Sequence, residues 1–426
     1  MDKLPVNIAV IDDGISEGLY GIGKLEQNIQ ITPELRICQR TGYDLTASSH
    51  GTTCAAIIRK YAPEAVLSSV KILGENTMRG MKEQLVEALD WCVKNNIKLI
   101  NLSLGTIDFK DFNLIKPAVD LACESGIVIV AACNNRDIYT CPASLPNVIG
   151  VKCDTTDTLG EGDIAYNSAD SAGIEITAYS KHKLTKSPGI ITATGVCNSY
   201  AAPLVTACVH NILREKPCIT FKNLLKELEK KSCSNFNEKA ICRQDIHKSP
   251  KIDIDIPILA VYNFENGFEY DVERELCRLF RKDGYNAIYA CNDKYEEEII
   301  NGIVSINSCE DDKSSISIEG ITRIYTVYDP DIIIAGINLR GRNTFCRKEI
   351  ELPFETDIKI FTSDIFRRDI AEMMKESKAA LLLTRSCTDA SEWLGSNIFK
   401  YSNEATISEL YCHILKLFEK DEKSRA

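Results

Sequence analysis

Residues 195–213, GVCNSYAAPLVTACVHNIL, combine an apolar helical stretch with a polar start. Pro203 has no backbone donor, so we expect it in the first turn of a helix, where N–H groups have no intrahelical partner. Ser199 then lies at or beside the helix N-terminus, a position suited to capping. The same position is at the positive end of the helix dipole, which stabilises a developing anion. Ser199 is thus either an ordinary helix cap or a nucleophile, depending on which partners the rest of the chain supplies.

The first half of the chain alternates apolar strands with amphipathic helices. Strands are predicted at 7–12, 66–73, 98–105, 126–133 and 147–153, and helices at 50–62, 77–95, 112–125 and 220–232, besides the helix of Ser199. Near-continuous Val, Ile and Leu runs between such helices are typical of a parallel sheet covered on both faces. The predicted fold class is therefore α/β, with three layers around a mostly parallel central sheet.

A polar segment without periodicity, 233–255, separates this pattern from a second α/β pattern. The second pattern has strands predicted at 256–264, 286–291, 331–337, 357–363 and 378–385, and helices at 270–284, 368–377 and 406–420. With 426 residues the chain is too long for one ordinary core, so two domains are expected. We predict a first domain at 1–232, a linker at 233–255 and a smaller Rossmann-like α/β domain at 256–426.

Composition excludes several classes of partner. The chain carries 50 Lys and Arg against 61 Asp and Glu, a net charge of −11, which disfavours a nucleic-acid backbone or an anionic membrane. No apolar run is long enough to span a membrane, and the start runs straight into a strand without a signal-peptide pattern. The 18 Cys form no C-x-x-C pair and are typical of reduced thiols. We therefore expect a cytoplasmic protein with no metal or other cofactor, and the oligomeric state stays open.

Three polar residues of the first half stand at the edges of predicted elements. Asp12 ends a strand, His50 begins a helix and Asn134 follows a strand. In open α/β sheets the crevice at the carboxyl ends of the strands is where ligands bind. With Ser199, these residues are the set that nucleophilic acyl transfer needs: a hydroxyl, a base, a carboxylate that orients the base, and an amide donor for the oxyanion.

Several segments in order give the chain a resemblance to the subtilisin-like serine proteases, the subtilases. The segments are VIDDGI, SSHGTTCAAII, SVKIL, INLSLG, VIVAACNN with CPASLPNVIGV after it, and CNSYAAP. The chain order Asp, His, Ser is also the subtilisin order. The resemblance spans residues 5–232 and implies a subtilisin-like fold and serine endopeptidase activity.

The resemblance also implies a role for each matched residue. Ser199 would be the nucleophile, His50 the general base and then the general acid, and Asp12 the carboxylate that orients His50. Asn134 and the backbone N–H of Ser199 would form the oxyanion hole. The residues implied to bind the peptide substrate, by strand addition and in the primary specificity pocket, are Ser103, Leu104, Gly105, Ala131, Ala132, Cys133, Asn135 and Thr140. Thr140 stands where the family often has Gly, which implies a shallower pocket for a small or medium side chain.

The chain departs from the family pattern around this site. Cys54, Cys133 and Cys197 occupy positions where the family usually has Val or Gly, and Asn198 and Tyr200 replace the usual Thr and Met. Replacement of small residues in a reducing compartment is the simpler interpretation of the thiols; redox or metal inhibition of the site is the alternative. The short segment after the helix of His50 predicts that the family's calcium loop is missing, and we expect no propeptide.

The predicted function is an intracellular serine endopeptidase that acts on a peptide or protein substrate. The second domain favours a dedicated processing role, such as removal of a leader from a precursor peptide. General cytosolic peptide turnover, a gated or inactive peptide-binding pseudoprotease, and a ligand sensor gated by the second domain are the alternatives. In that domain the segment 262–280 lacks a phosphate-loop signature, and the basic cluster at 337–348 either holds an acidic peptide or is simply solvated.

Overall fold

The chain divides into two compact units, Met1–His247 and Lys248–Ala426. The computed structural model describes residues 5–74, 80–167, 170, 172–233, 254–264, 271–291, 298–306, 316–339, 352–363, 368–385, 398–401 and 404–425. The division falls within the predicted linker, most of which lies outside the described residues, so the domain boundaries stay a prediction.

The first unit is built on a nine-stranded sheet with the order β3-β2-β4-β1-β5-β6-β7-β9-β8. The strands are β1 (Asn7–Asp12), β2 (Asn28–Ile31), β3 (Ile37–Gln39), β4 (Val66–Lys71), β5 (Leu99–Leu102), β6 (Val128–Ala132), β7 (Ile149–Cys153), β8 (Ile164–Tyr166) and β9 (Ile176–Ala178). Neighbouring strands run parallel except in the outer pairs β2/β3 and β8/β9. A separate antiparallel hairpin joins β10 (Lys183–Lys186) to β11 (Ile190–Ala193).

Helices cover this sheet in two groups. They are α1 (His50–Tyr61), α2 (Lys82–Lys94), α3 (Phe109–Glu124), α4 (Asn198–Glu215) and α5 (Phe221–Lys231). Helices α1, α4 and α5 share one apolar core with alternate residues of the strands, including Ile8 and Val10 of β1. Helices α2 and α3 pack against each other and against β2 and β6. The three-layer α/β fold with a mostly parallel sheet is confirmed.

The topology explains why polar residues far apart in sequence meet. Strands β1, β5 and β6 are parallel neighbours in the centre of the sheet, so their carboxyl ends lie at one edge. Asp12 is the last residue of β1, Ser103 directly follows β5, and Cys133 directly follows β6. Helices α1 and α4 contact each other and these central strands. The carboxyl edge of the sheet is therefore where the candidate residues converge.

The second unit is a seven-stranded, fully parallel sheet with the order β14-β13-β15-β12-β16-β17-β18. Its elements are β12 (Ile258–Asn263), α6 (Val272–Lys282), β13 (Ala287–Cys291), a 3₁₀ turn (Ile299–Asn301), β14 (Ile303–Ser305), α7 (Ile318–Tyr328), β15 (Ile332–Asn338), β16 (Ile358–Thr362), α8 (Arg368–Glu376), β17 (Ala380–Thr384), β18 (Ile398–Lys400) and α9 (Glu404–Arg425). One core contains residues of α7 and α8, and a second core contains residues of α6 and α9. The second unit is Rossmann-like, as predicted.

The differences from the predicted elements concern short or weakly patterned segments. The pattern did not predict α7 or, apart from β5, the strands of three or four residues, because such strands are defined by their neighbours rather than by an apolar run. Helix α3 begins at Phe109 and not at 112. The phosphate-loop-like turn at 265–270 and most of the basic cluster, at 340–348, lie outside the described residues. In the described part of the chain, none of the helices is both long and apolar enough to cross a membrane.

Candidate active site

Helix α4 begins one residue before Ser199, and its cap is not Ser199. The N-cap is Cys197, whose side chain makes no capping hydrogen bond, and Ser199 is the second helical residue and half-buried. Pro203 therefore lies one turn further into the helix than predicted. It cannot donate to the carbonyl four residues earlier, which belongs to Ser199. The Oγ of Ser103 donates to that carbonyl at 2.9 Å and replaces the missing bond.

The imidazole of His50 is held by the carboxylate of Asp12. His50 Nδ1 lies 2.9 Å from Oδ2 and 3.0 Å from Oδ1 of Asp12, which is completely buried at the end of β1. Asp13 fixes the start of α1, because its carboxylate accepts from the backbone N–H groups of His50 at 3.0 Å and of Gly51 at 2.8 Å. A Cβ at Gly51 would lie 2.8 Å from the carbonyl oxygen of Gly14, so only glycine permits this close approach. The structure thus brings Asp12 and His50 within hydrogen-bond distance.

The loop after β6 presents Asn134 beside the start of α4. The Oδ1 of Asn134 accepts from the backbone N–H of Arg136 at 2.9 Å, which orients the amide and leaves Nδ2 as its donor group. The side chain of Asn198 connects this loop to α4, because its Nδ2 donates to the carbonyls of Cys133 at 3.2 Å and Asn134 at 3.0 Å. The orienting bonds place an amide donor next to the helix N-terminus, which is the arrangement that an oxyanion requires.

The family model described as the Subtilase family matches residues 5–243. The chain belongs to the subtilase family. It is 27% identical over 237 residues to the "Minor extracellular protease Epr" of Bacillus subtilis (strain 168), with 53% of this chain and only 34% of Epr covered. It is 28% identical over 241 residues to the subtilisin of Bacillus pumilus, with 53% of this chain and 82% of that relative covered.

Among solved structures, the S41 psychrophilic protease matches with a TM-score of 0.45 and 24% identity, over 54% of this chain and 83% of that one. The first unit contains the residues that the family model matches and is here called the subtilase unit.

The segment after β5 braces the nucleophile candidate of the subtilase unit. Ser199 Oγ donates to the carbonyl oxygen of Ser103 at 3.3 Å, and Ser103 Oγ donates back to the carbonyl oxygen of Ser199. Cys54 Sγ lies 3.4 Å from Ser103 Oγ and 3.7 Å from the same Ser199 carbonyl. Ser103 is therefore occupied by contacts within the protein, which the sequence did not indicate. Leu104 is half-buried and Gly105 is exposed, so these two are the residues of this segment that face outward.

The residues predicted to line the primary specificity pocket differ in their exposure to solvent. Ala131 is completely buried in β6 and Ala132 nearly so, so their side chains pack inside the protein. Thr140 is also buried; its Oγ1 donates to the carbonyl of Ile138 at 2.6 Å and accepts from the backbone N–H of Asn134 at 2.9 Å. A Cβ at Gly105 would meet the Thr140 methyl at 2.8 Å. Thr140 thus supports the loop at 133–140, here called the oxyanion loop after the predicted role of Asn134, while its methyl group approaches Gly105.

Two residues at the oxyanion loop have more specific contacts than the sequence indicated. Cys133 Sγ donates to the carbonyl oxygen of Ile138 at 3.4 Å, so this thiol is turned into the loop. The exposed Asn135 accepts at Oδ1 from the backbone N–H of Asn198 at 3.1 Å and from Cys197 Sγ at 3.6 Å. Asn135 therefore connects the oxyanion loop to the helix start, besides being a predicted substrate contact.

Burial and charge act in opposite directions on the Asp12–His50 pair. Burial raises the pKa of Asp12, whereas the hydrogen bond and the charge of His50 lower it. The sulfur of Cys54 and the carboxylate of Asp12 raise the pKa of His50 against the effect of burial. Burial also raises the pKa of Cys54, whereas the charge and the hydrogen bond of His50 lower it. The protonation of each of these three groups therefore depends on that of the other two.

A second histidine, His182, and the aromatic ring of Tyr200 make contacts next to the site. The ring of Tyr200 lies 5.5 Å from the ring of His50, centroid to centroid, at an interplanar angle of 33°. The carbonyl oxygen of Tyr200 lies 3.0 Å from His182 Nε2, and His182 Nδ1 lies 2.9 Å from the hydroxyl of Tyr61. Burial lowers the pKa of His182 to about 4, so it is neutral and acts as a structural support. The replacement of Met by Tyr200 was the only sequence signal of this arrangement.

Proposed function

We propose that the protein is a serine endopeptidase in which Ser199 is the nucleophile, His50 the general base and then acid, and Asp12 the residue that orients His50. The observation that carries the proposal is the buried Asp12 carboxylate 2.9 Å from His50 Nδ1. That bond leaves Nε2 as the nitrogen free to accept a proton. Cys54 lies within 3.9 Å of His50 Nδ1 and 3.7 Å of the Ser199 carbonyl, which supports the closeness of the base and the nucleophile.

In this mechanism the Ser199 hydroxyl leaves its bond to Ser103 and gives its proton to His50 Nε2 as Oγ attacks the peptide carbonyl carbon. The negative charge on the carbonyl oxygen is stabilised by Asn134 Nδ2 and the backbone N–H of Ser199. His50 then protonates the leaving amine, and the C–N bond breaks. A water molecule attacks the acyl-enzyme in the same way, with His50 as base and Ser199 as leaving group.

We propose that the substrate lies as an extended strand along Leu104 and Gly105. The exposure of Gly105 supports this, because its backbone groups are open to a strand added at that edge. The methyl group of Thr140 beside Gly105 supports a primary pocket that favours a small or medium side chain.

We further propose an intracellular processing protease, as opposed to an enzyme of general peptide turnover. Cys54, Cys133 and Cys197 are free thiols within or next to the site, which supports a reducing compartment. The separate Rossmann-like unit supports selection of a dedicated substrate. Cleavage of one bond in a folded precursor, with unstructured casein left intact, is expected; rapid and general degradation of casein would favour turnover.

The test of the catalytic assignment is labelling of the purified full chain with a fluorophosphonate probe. We expect the wild type and Ser125→Ala to react, because Ser125 is an exposed serine at the end of α3 whose hydroxyl bonds only its own helix. Ser199→Ala and His50→Ala should not react, and mass spectrometry should find the adduct on Ser199. Circular dichroism confirms that each variant folds. Labelling of Ser199→Ala, or no labelling of the folded wild type, would contradict the proposal.

A further inference from the structure

Three side chains of metal-ligating types, His50 among them, lie together at the Nδ1 side of the His50 imidazole. A carboxylate oxygen of Asp12, Nδ1 of His50 and Sγ of Cys54 all lie within 4.8 Å of one another. His50 and Cys54 are four residues apart on α1, so their side chains share one face of that helix. Within the described residues, this is the one group of three or more His, Cys, Asp or Glu side chains with such spacing.

Two of the three separations between these ligand atoms are close to those of a metal with short bonds, and the third, between the Asp12 oxygen and Cys54 Sγ, is within 4.8 Å. Zinc bonds of about 2.0–2.1 Å to nitrogen or oxygen and about 2.3 Å to sulfur place tetrahedral N and O donors about 3.3 Å apart and N and S donors about 3.6 Å apart. The corresponding distances here are 2.9 Å between His50 Nδ1 and Asp12 Oδ2, and 3.9 Å between His50 Nδ1 and Cys54 Sγ. Each differs from the required value by about half an ångström or less, which small rotations of the side chains supply. Three protein ligands leave the fourth position to water.

The ligand types favour zinc. Thiolate, imidazole and carboxylate are the three kinds of ligand that zinc takes in tetrahedral sites, whereas calcium and magnesium require oxygen ligands. Two other thiols near the oxyanion loop point elsewhere: Cys133 Sγ bonds the carbonyl of Ile138, and Cys197 Sγ bonds Oδ1 of Asn135. Cys54 is therefore the thiol of the site that can complete a metal site with Asp12 and His50.

We propose that Asp12, His50 and Cys54 form an inhibitory Zn²⁺ site. On binding, the Cys54 thiol releases its proton to solvent, and sulfur, Nδ1 and a carboxylate oxygen bond the metal. The ring proton of His50 moves from Nδ1, now bound to zinc, to Nε2. Nε2 is then a donor and cannot accept the proton of Ser199, so the nucleophile is not activated. The metal enters from the cleft, where the His50 side chain is 16% exposed.

Zinc binding does not depend on the proposed catalytic roles, whereas inhibition by zinc rests on the proposed function. Two measurements therefore test binding and inhibition separately. The first is cobalt binding by the full chain, in which a Co²⁺–thiolate bond gives a near-ultraviolet charge-transfer absorption. We expect this absorption in the wild type and in Cys197→Ala, its loss in Cys54→Val and Cys54→Ser, and its displacement by Zn²⁺. An equal absorption in the two Cys54 variants would overturn the site.

The second measurement is the rate of fluorophosphonate labelling with Zn²⁺ divided by the rate with EDTA, so each variant is its own reference. We expect zinc to slow the wild type and Cys197→Ala at least about tenfold, since general-base catalysis is worth about 10²–10⁴-fold. The ratio should stay near one in the Cys54 variants. Equal slowing of the Cys54 variants would refute inhibition through this site. If no variant reacts even with EDTA, the proposed function fails, while the cobalt absorption still decides the metal site.

Discussion

The two units place a buried carboxyl at the same kind of sheet edge and partner it differently. In the subtilase unit, Asp12 ends β1 and bonds the imidazole of His50, which reaches the cleft. In the second unit, Asn263 ends β12, and its amide donates to Glu273 while its Oδ1 accepts from Thr362 Oγ1 at 2.9 Å. Amide, hydroxyl and carboxyl are therefore bonded to one another, and Asp271 is a further partner of Glu273. The difference lies in the partner: an imidazole that reaches the cleft can take up a proton there.

The electrostatics of the two carboxyls follow from these partners. Burial raises the pKa of both Asp12 and Glu273. An acidic neighbour adds to the rise in both cases, Asp13 for Asp12 and Asp271 for Glu273. The bond and charge of His50 oppose the rise for Asp12, whereas only hydrogen bonds, including that of Asn263, offset it for Glu273. We expect Asp12 to be ionised and Glu273 to be protonated at neutral pH, although both are buried.

The largest expected difference between the units comes from replacing one asparagine in each unit by alanine. Asn134→Ala removes the proposed oxyanion donor and should lower kcat by about 100- to 1,000-fold, the size of loss known for the corresponding donor in subtilisin. Asn263→Ala removes an amide that also ends a parallel strand, and it should leave kcat unchanged within about twofold because its bonds are internal. Steady-state cleavage of a peptide substrate measures both. Unchanged turnover in Asn134→Ala would remove Asn134 from the oxyanion hole.

The titration of His50 should appear in the activity. Because Cys54 and Asp12 raise the pKa of His50 above 6.5, the neutral imidazole that acts as base is lost as pH falls through that raised value. We expect kcat/KM to rise with pH and its midpoint to lie above 6.5, with a loss of about tenfold per pH unit below the midpoint. A substrate without titrating side chains is needed for the profile. A midpoint below 6.5 would mean that burial outweighs the carboxylate.

The next test concerns Asn198, whose side chain and backbone make four hydrogen bonds to Cys133, Asn134, Asn135 and Cys153. Asn198→Ala leaves buried partners of its side chain unsatisfied and should lower the free energy of unfolding of the subtilase unit by about 1–3 kcal/mol. It should also lower kcat more than it changes KM, because the oxyanion loop loses its connection to α4. Urea unfolding and steady-state kinetics measure the two effects.

The matched control for Asn198 is again Asn263→Ala in the second unit. It should destabilise its own unit by a similar amount, about 1–3 kcal/mol, with no change in kcat. A stability loss in Asn198→Ala with kcat unaltered would reduce Asn198 to a structural residue and remove its positioning role.

The smallest expected effect is that of Glu273→Gln. A protonated Glu273 and a glutamine have nearly the same shape, so the free energy of unfolding of the second unit should change by less than about 1 kcal/mol at acidic pH below 4.5, where the unfolded carboxyl is protonated too. Since the folded carboxyl binds its proton more tightly than the unfolded one, wild-type stability should fall as pH rises above 4.5 toward the folded pKa. The glutamine variant lacks this dependence. Parallel stability profiles in urea unfolding at acidic and neutral pH would contradict a protonated Glu273.

Much of the candidate site could be predicted because its residues stand in short local patterns. Asp12, His50, Asn134 and Ser199 each follow or begin an element that hydrophobic periodicity identifies, and the chain order of the motifs indicated the family. Residues whose role is to hold these four were not predicted. Ser103 was predicted to contact the substrate, and the sequence did not indicate that it also bonds Ser199, 96 positions away.

The sequence by itself determined the α/β class of both units, the family and the set of polar residues at the sheet edge, because these depend on residue type and on spacing along one element. The tertiary structure alone decided which atoms meet. Pro203 illustrates the limit: the prediction of a first-turn proline was wrong by one turn, and the backbone bond that it removes is replaced by Ser103. Cys54 likewise becomes a neighbour of Asp12 only because α1 packs against β1. Such contacts join distant parts of the chain, and local propensity carries no information about them.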